Sequence, residues 1–111
     1  MPKKTKKAEP QTEPRPAPPR EIVWSGRFTR DYKRERKGQH RATLDGDLTA
    51  VLDTLANRLP LEPRHNDHAL KGEWQDYRDC HVRPDLVLIY RLPDDDTVQL
   101  ARMGSHSELG I

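Results

Sequence analysis

The chain has 111 residues, of which 34% are charged and 32% hydrophobic, so its length and composition support one small domain with a modest core. It contains neither an apolar run of transmembrane length nor a basic-then-apolar signal segment, which predicts a cytoplasmic protein without a membrane partner. Cys80 is the single cysteine, which excludes an internal disulfide and any multi-cysteine metal site.

The N-terminal segment is basic and rich in proline. Residues 1–20 hold six prolines, six Lys or Arg and two Glu, with almost no apolar side chains. This composition cannot offset the entropy lost when a backbone is ordered, so we expect a disordered arm. The folded domain is predicted over residues 21–111, where acids slightly outnumber bases, and attraction for nucleic acid must therefore come from local patches.

The next stretch predicts a strand followed by a basic helix. EIVW at 21–24 is short and β-prone, and Phe28 and Tyr32 then recur at helical spacing within the segment 27–41. Seven Lys or Arg outnumber two acids in this segment. Its basic faces are typical either of a solvated helix or of a surface that binds RNA or an acidic partner. The candidate RNA-binding residues are Arg27, Arg30, Lys33, Arg34 and Lys37.

A second amphipathic helix and a loop are predicted in the middle of the chain. Apolar residues recur at helical spacing at Leu48, Val51, Leu52, Leu55 and Leu59. Asp45 and Asp47 are candidate caps, and Pro60 is expected to end the helix. Residues 61–71 are polar and turn-like, which predicts a loop.

Three strands complete the predicted domain. They are expected at 73–82, 86–92 and 97–104, separated by the turn signals RPD and PDDD. Such short connections indicate antiparallel hairpins. The predicted fold is therefore α+β with the order β-α-α-β-β-β, in which two helices pack on one face of a small, mostly antiparallel sheet and leave the other face partly open.

The open face is where polar side chains are expected to gather. Strand alternation in RDCHV, at 78–82, sends Cys80 and Val82 towards the helices and sends Asp79 and His81 to the opposite face. Hairpin connections bring further polar residues to the same face. The candidate catalytic residues are His68, Asp79, His81, Asp85, Arg102 and His106.

Such a set of side chains is able to cleave RNA without a metal or any other cofactor. Two histidines can act as general base and general acid, an aspartate can orient an imidazole, and an arginine can bind a phosphate. In that reaction the base takes the 2′-hydroxyl proton, the oxygen attacks the adjacent phosphorus, and the acid protonates the departing 5′-oxygen.

Each candidate residue also has a structural explanation, as a surface pair, a turn residue or an ion-pair partner. A zinc site is a further alternative, although the spacing of its ligands matches none of the established zinc patterns. The ligands of that site would be His65, His68, His81 and His106.

The run DHALKGEWQDYRDCHVRPDLVLIYRLPDDD, followed by LARMGSHSEL, closely resembles the YafQ branch of the RelE/ParE superfamily, bacterial toxins of type II toxin–antitoxin pairs. The resemblance covers about residues 21–110 and leaves the proline-rich arm outside. It implies a RelE-like fold and an mRNA interferase, which is a metal-independent endoribonuclease that cleaves mRNA at the ribosome and is inhibited by a cognate antitoxin. It also implies that the basic helix binds the phosphates of ribosomal RNA.

The same resemblance assigns roles to individual residues. The active-site histidines of the family fall on His68, His81 and His106, its aspartates on Asp79 and Asp85, and its basic strand residue on Arg102. Relatives often end with an aromatic residue directly after the leucine of HSEL, whereas this chain has Gly110 at that place. The missing ring favours one alternative, a non-catalytic protein of the RelE/ParE fold that binds only an antitoxin, the ribosome or gyrase.

Overall fold

The computed structural model describes residues 17–111, and the first 16 residues of the predicted arm lie outside this range. Within it the chain has an α+β fold, as predicted, with two short 3-10 turns, Pro63–His65 and Gly72–Trp74, on either side of the second strand. The helices and strands are β1 (Glu21–Trp24), α1 (Gly26–Glu35), α2 (Leu44–Ala56), β2 (His68–Ala69), β3 (Arg78–Arg83), β4 (Leu86–Asp94), β5 (Thr97–Gly104) and α3 (His106–Leu109).

The strands of the described residues form one sheet in the order β1-β5-β4-β3-β2. β3, β4 and β5 pair antiparallel, as the short hairpin connections predicted, and β2, which was not predicted, also pairs antiparallel with β3. β1 instead runs parallel to β5, with Glu21 opposite Thr97 and Trp24 opposite Leu100. The first and last strands of the domain therefore lie side by side at one edge of the sheet.

Helices α1 and α2 pack on one face of the sheet and build the main core. The helices contribute buried apolar residues at helical spacing, and the central strands contribute every second residue. This core contains Phe28, Leu44, Leu48, Val51, Leu55, Cys80, Val82, Leu86, Leu88, Tyr90, Val98, Leu100 and Met103. Burial raises the pKa of the Cys80 thiol, which keeps the thiol protonated and confirms Cys80 as a packing residue.

The opposite face of the sheet carries a smaller apolar cluster over part of its area, and open cavities adjoin that cluster, so the face is partly open as predicted. Val87 and Ile89 of β4 are fully buried on this face and pack against Leu109 of α3. Side chains that complete the cluster are Leu70, Trp74, Tyr77, Ala101 and Ile111. They come from the second 3-10 turn, its flanking residues and the C-terminal segment, elements that the pattern of strands did not predict.

Several boundaries differ from the predicted ones for identifiable local reasons. α1 ends at Glu35 and not at 41, because no apolar residue continues the stripe of Phe28 and Tyr32 into the next turn. The strand predicted from 73 begins only at Arg78, since Gly72 and Asp76 have φ values of 68° and 77°, which interrupt an extended chain. The predicted loop 61–71 contains the first 3-10 turn and β2.

The second helix also differs from its prediction at both ends. Asp45 and Asp47 lie in the first turn of α2, while Thr43 occupies the N-cap position. The helix ends at Ala56, four residues before Pro60, and Leu59 is 60% exposed and so does not extend the apolar stripe. No helix in the described part of the chain combines the length and apolar character that a membrane span requires.

The end of the predicted arm is attached to the domain. The Arg20 guanidinium donates hydrogen bonds to the carbonyl oxygens of Leu55 (2.9 Å) and Asp95 (3.1 Å). The carbonyl oxygen of Pro18 accepts hydrogen bonds from Arg58. Residues 18–20 therefore belong with the folded domain in their contacts, although they form no helix or strand.

Candidate active site

A row of opposed residues crosses four strands on the face that α3 covers. His68 of β2 lies opposite Asp79 of β3, and Asp79 lies opposite Ile89 of β4. Ile89 in turn lies opposite Arg102 of β5. Opposed residues of neighbouring strands project from the same face of a sheet, so three of the candidate catalytic residues share this face. The two-residue strand β2 is what brings His68 against Asp79.

Asp79 is the buried centre of the site. Only 3% of the residue is exposed, and no donor among residues 17–111 forms a hydrogen bond to Oδ1. Burial raises the pKa of Asp79 above its ordinary value, and the nearby imidazoles of His68, His81 and His106 act in the opposite direction. The carboxyl group is therefore surrounded by three titratable rings that its charge can stabilise.

The proton position on His68 follows from its hydrogen bond. Nδ1 lies 2.7 Å from the carbonyl oxygen of Asn66, and a carbonyl only accepts, so Nδ1 carries a proton. In the neutral ring Nε2 is then free to accept a proton. Oδ1 of Asp79 lies 3.3 Å from Nδ1, where it stabilises the ring once it becomes an imidazolium. Asn66 presents its carbonyl from a left-handed conformation with φ 46°, which asparagine adopts readily.

His81 and His106 form a second part of the same site. Their ring centroids are 5.1 Å apart and their planes are inclined by 71°. The backbone of His81 is held by His65, a buried residue whose Nδ1 donates to the His81 carbonyl oxygen at 2.6 Å. The role of His65 was missed because its partner lies 16 residues away on another element.

The helix that carries His106 is held at its N-terminal end by a capping box and by Arg34 of α1. Ser105 and Glu108 form a capping box, in which the Ser105 hydroxyl accepts from Glu108 N–H and the Glu108 carboxylate accepts from Ser105 N–H. The S-x-x-E spacing in SHSE is the sequence signal from which this helix was predictable. Arg34 of α1 adds an ion pair to Glu108 (3.4 Å) and a hydrogen bond to the Met103 carbonyl oxygen (2.8 Å).

Arg102 is bound by a carboxylate from α1. Its Nε and Nη2 donate to Asp31 at 2.7 and 3.3 Å, which leaves Nη1 without a carboxylate partner among the described residues. Burial alone would raise the pKa of Asp31, but hydrogen bonds from Arg102 and from Met103 N–H, with the charge of Arg34, bring it below its ordinary value. Asp31 thereby holds the Arg102 side chain in position.

Within residues 17–111, Asp85 forms no hydrogen bond or ion pair with His68, His81 or His106. Its carboxylate instead accepts from Gln39 Nε2 (2.9 Å) and lies 2.9 Å from His40 Nε2. Asp85 therefore ties the turn between β3 and β4 to the segment after α1. The turn signal predicted that Asp85 lies in the turn between two strands, but it did not predict that Gln39 and His40 are its partners.

The predicted RNA-binding residues occupy different environments. Arg34 is exposed but forms ion pairs with Asp31 (3.0 Å), Glu35 (3.0 Å) and Glu108 (3.4 Å). Lys33 and Lys37 are also exposed and line a basic groove of about 350 Å³ with Arg36. Arg30 is exposed, and Arg27 lines a cavity on the other side of the helix. The helix thus presents cations in two directions.

The four-histidine zinc site is not assembled in the described part of the chain. Among residues 17–111, no group of three or more His, Cys, Asp or Glu side chains is arranged to hold a metal ion. His65, one of the four proposed ligands, is instead buried against the backbone of His81.

The chain is similar to known bacterial toxins over most of its length. The family described as "Bacterial toxin of type II toxin-antitoxin system, YafQ" matches residues 20–110. The mRNA interferase toxin YafQ of Escherichia coli strain K12 is 40% identical over 92 residues, which are 81% of this chain and 95% of that protein.

Solved structures of bacterial toxins are also similar to this chain. The E. coli DinJ–YafQ toxin–antitoxin complex matches with a TM-score of 0.70 and 38% identity over 81% of this chain and 96% of that chain. A metal-bound toxin from Helicobacter pylori matches with a TM-score of 0.66 and 38% identity, over 80% of this chain and 97% of that chain.

Proposed function

This chain belongs to the YafQ family of bacterial type II toxin–antitoxin toxins, and from that membership we propose that it is an mRNA interferase that cleaves mRNA at the ribosome without a metal. The name of the E. coli relative supports the reaction class. The mechanism rests on the geometry of the site, in which His68 lies 3.3 Å from the buried carboxyl group of Asp79 and the rings of His81 and His106 lie 5.1 Å apart.

His68 is the general base of the proposed reaction. Its Nδ1 is committed to the Asn66 carbonyl, so the neutral ring can take the 2′-hydroxyl proton at Nε2. The resulting imidazolium is stabilised by Asp79 at 3.3 Å. The 2′-oxygen then attacks the adjacent phosphorus.

His106 is the general acid. It is exposed at the start of α3, and its ring lies beside His81. In its protonated form it gives a proton to the departing 5′-oxygen, so that the products are a 2′,3′-cyclic phosphate and a 5′-hydroxyl. His81 and Nη1 of Arg102 support the phosphate between base and acid, where negative charge develops.

The proposed partners are a cognate antitoxin, the ribosome and mRNA. The E. coli relative was solved in complex with the antitoxin DinJ, which supports an antitoxin for this chain. The exposed cations Arg30, Lys33 and Lys37 are suited to the phosphates of ribosomal RNA.

Replacement of His106 by Ala tests the proposal. We expect single-turnover cleavage of ribosome-bound mRNA to fall by about 100-fold or more, because a positioned acid contributes roughly that factor. Ser107→Ala is the matched control, since Ser107 is exposed on the same short helix. Thermal unfolding of both variants should match that of the parent chain.

The products and conditions of cleavage distinguish this mechanism from its competitors. Cleavage should persist in EDTA, follow a bell-shaped pH profile and leave 5′-hydroxyl ends. A 5′-phosphate product, or activity lost in EDTA and restored by zinc, would contradict the proposed chemistry. A parent chain that binds antitoxin or ribosome but never cleaves would establish the non-catalytic alternative.

A further inference from the structure

A cavity of about 570 Å³ adjoins the candidate active site on the face covered by α3. Its volume lies within the range of small-ligand pockets. Two of its sides come from segments that also carry catalytic histidines, because Leu70 follows His68 by two residues and Leu109 follows His106 by three. The cavity is lined by Arg27, Leu70, Lys71, Glu73, Trp74, Arg102, Leu109, Gly110 and Ile111.

The lining combines positive charge with an aromatic surface. Arg27 and Lys71 are exposed and make no ion pair with any side chain of residues 17–111. Arg102 contributes a third cation, although Asp31 occupies two of its nitrogens. Glu73 is the acidic side chain of the lining, so cations predominate.

Trp74 is held as a wall of this cavity. Its partly exposed ring meets the Tyr77 ring edge-on, with centroids 5.1 Å apart and an interplanar angle of 85°. Arg91 lies 5.4 Å from the centroid of the Tyr77 ring and supports it. Trp74 and Arg27 also line a smaller adjoining cavity of about 150 Å³. Trp74 and Arg27 therefore line both cavities.

We propose that this cavity binds a nucleotide of the substrate RNA next to the cleaved phosphate, with its base against Trp74 and its phosphate at Arg27 and Lys71. The inference rests on the proposed ribonuclease function and extends it. Stacking on an aromatic ring combined with a basic groove is how proteins bind single-stranded nucleic acid without reading its sequence. Leu109 and Ile111 supply the apolar contact on the side of the cavity formed by the C-terminal segment.

Fluorescence of Trp74 provides a direct test. The chain contains two tryptophans, so Trp24→Phe leaves Trp74 as the single indole. A 2′-O-methyl hexaribonucleotide of mixed sequence, which lacks the nucleophilic hydroxyl, should quench this fluorescence in a saturable manner. Absence of quenching in this variant would overturn the subsite.

Affinity measurements provide a second test of the subsite. Trp74→Leu should weaken hexanucleotide binding by about 10-fold, in line with the loss of one stacked base. Arg27→Gln and Lys71→Gln should each weaken it and reduce its salt dependence. The matched control is Trp24→Leu, since Trp24 is 43% exposed and lies outside the cavity. Binding that Trp74→Leu leaves at the parent value, with unchanged thermal unfolding, would also overturn the proposal.

Cleavage assays separate this inference from the nuclease proposal. Trp74→Leu should raise the ribosome–mRNA concentration needed for half-maximal cleavage more than it lowers the saturated rate. An active parent enzyme with an unaffected Trp74→Leu variant refutes the subsite alone. Quenching of Trp74 in the Trp24→Phe variant, together with a parent chain that cleaves nothing, refutes the nuclease and retains the subsite.

Discussion

Two buried aspartates show how hydrogen-bond donors decide whether a carboxylate stabilises the fold. Burial acts to raise the pKa of both Asp31 and Asp79. Asp31 receives Arg102 and the Met103 N–H, and its pKa falls below the ordinary value. Asp79 lacks such donors at Oδ1, and its pKa lies above the ordinary value of an aspartate. An ionised Asp79 therefore lowers the stability of the fold, as expected where a charge serves chemistry.

The substitution Asp79→Asn should stabilise the domain while it reduces cleavage. The pKa of Asp79 is raised in the folded state, so its stabilising contribution is present below the unfolded-state pKa and is lost as pH rises through the folded-state pKa. At pH 7 we expect the variant to unfold with a free energy about 1 kcal/mol higher than that of the parent chain. The difference should vanish below about pH 4.

Urea unfolding at pH 7 and pH 3.5, with cleavage assayed in parallel, measures this trade-off. Asp76→Asn is a suitable control, because Asp76 is exposed and its positive φ suits asparagine equally well. A variant that is less stable than the parent at pH 7 would show that the Asp79 carboxylate has a stabilising partner after all.

For individual residues, the sequence predicted on which face of the sheet a side chain lies, but not which side chains it contacts. Strand alternation placed Asp79 and His81 together opposite Cys80, and the strand pairing confirms this arrangement. It did not predict that Asp79 is buried, because the covering residues come from α3 and a 3-10 turn. The ion-pair partners of Asp85 and Arg34 were also not predictable, because ion pairs between distant elements leave no periodic signal in a single sequence.

At the element scale, one carboxylate joins α1 to β5 near the site. Asp31 binds Arg102 and Met103 of β5, and Arg34 of the same helix reaches Glu108 on α3. A Cβ at Gly104 would lie 2.9 Å from Arg34 Nη2 and 3.1 Å from Glu108 Oε1, so a side chain there would displace the ends of this ion pair. The basic helix therefore has a structural face as well as an exposed one.

Removal of this carboxylate should destabilise the domain strongly. Asp31→Ala leaves Arg102 without its carboxylate and Met103 N–H without its acceptor, which should lower the free energy of unfolding by about 3 kcal/mol at pH 7. The folded-state pKa of Asp31 is lowered, so its contribution is present above the unfolded-state pKa and is lost as pH falls through the folded-state pKa.

Urea denaturation at pH 7 and at pH 3 checks both the size and the pH dependence. The difference between parent and variant should shrink at the lower pH. Asp53→Ala, an exposed acid on α2, should change the free energy of unfolding by less than about 0.5 kcal/mol. Equal effects of the two substitutions would mean that the Asp31 network contributes nothing to stability.

Apolar periodicity predicts the long elements but not the short ones. Both long helices, the two long hairpin strands and their antiparallel order follow from apolar spacing and turn residues. β2 has two residues and α3 has four, which is too short for a periodic pattern to appear. These short elements carry His68 and His106, so periodicity alone could not assemble the site.

At the scale of the whole molecule, the proline-rich arm and the domain meet at residues 18–20. Residues 1–16 hold five Lys or Arg and two Glu, and none of them falls within the part of the chain that matches the toxin family. Their composition suits weak attraction to RNA and gives no geometry to a reaction.

A chain shortened to begin at residue 17 should keep its stability and its saturated cleavage rate. Ribosome affinity should fall at low salt and converge with that of the full chain at high salt, because the lost charges act through counterion release. Affinity and single-turnover cleavage at two salt concentrations measure both effects. A further Arg20→Ala change should lower the melting temperature, since Arg20 binds Leu55 and Asp95. A collapse of the saturated rate in the shortened chain would instead place the arm in the active site.

The parallel pairing of β1 with β5 also determines when a newly made chain can fold. Glu21–Trp24 is synthesised before the other strands of the sheet, but its partner strand Thr97–Gly104 is synthesised only after β2, β3 and β4. During translation the edge strand has nothing to pair with, and His106 is added after the whole sheet. Domains whose contacts are distant in sequence complete their structure late. The edge strand can therefore pair only once β5 has been made, and the proposed catalytic acid follows directly after that strand.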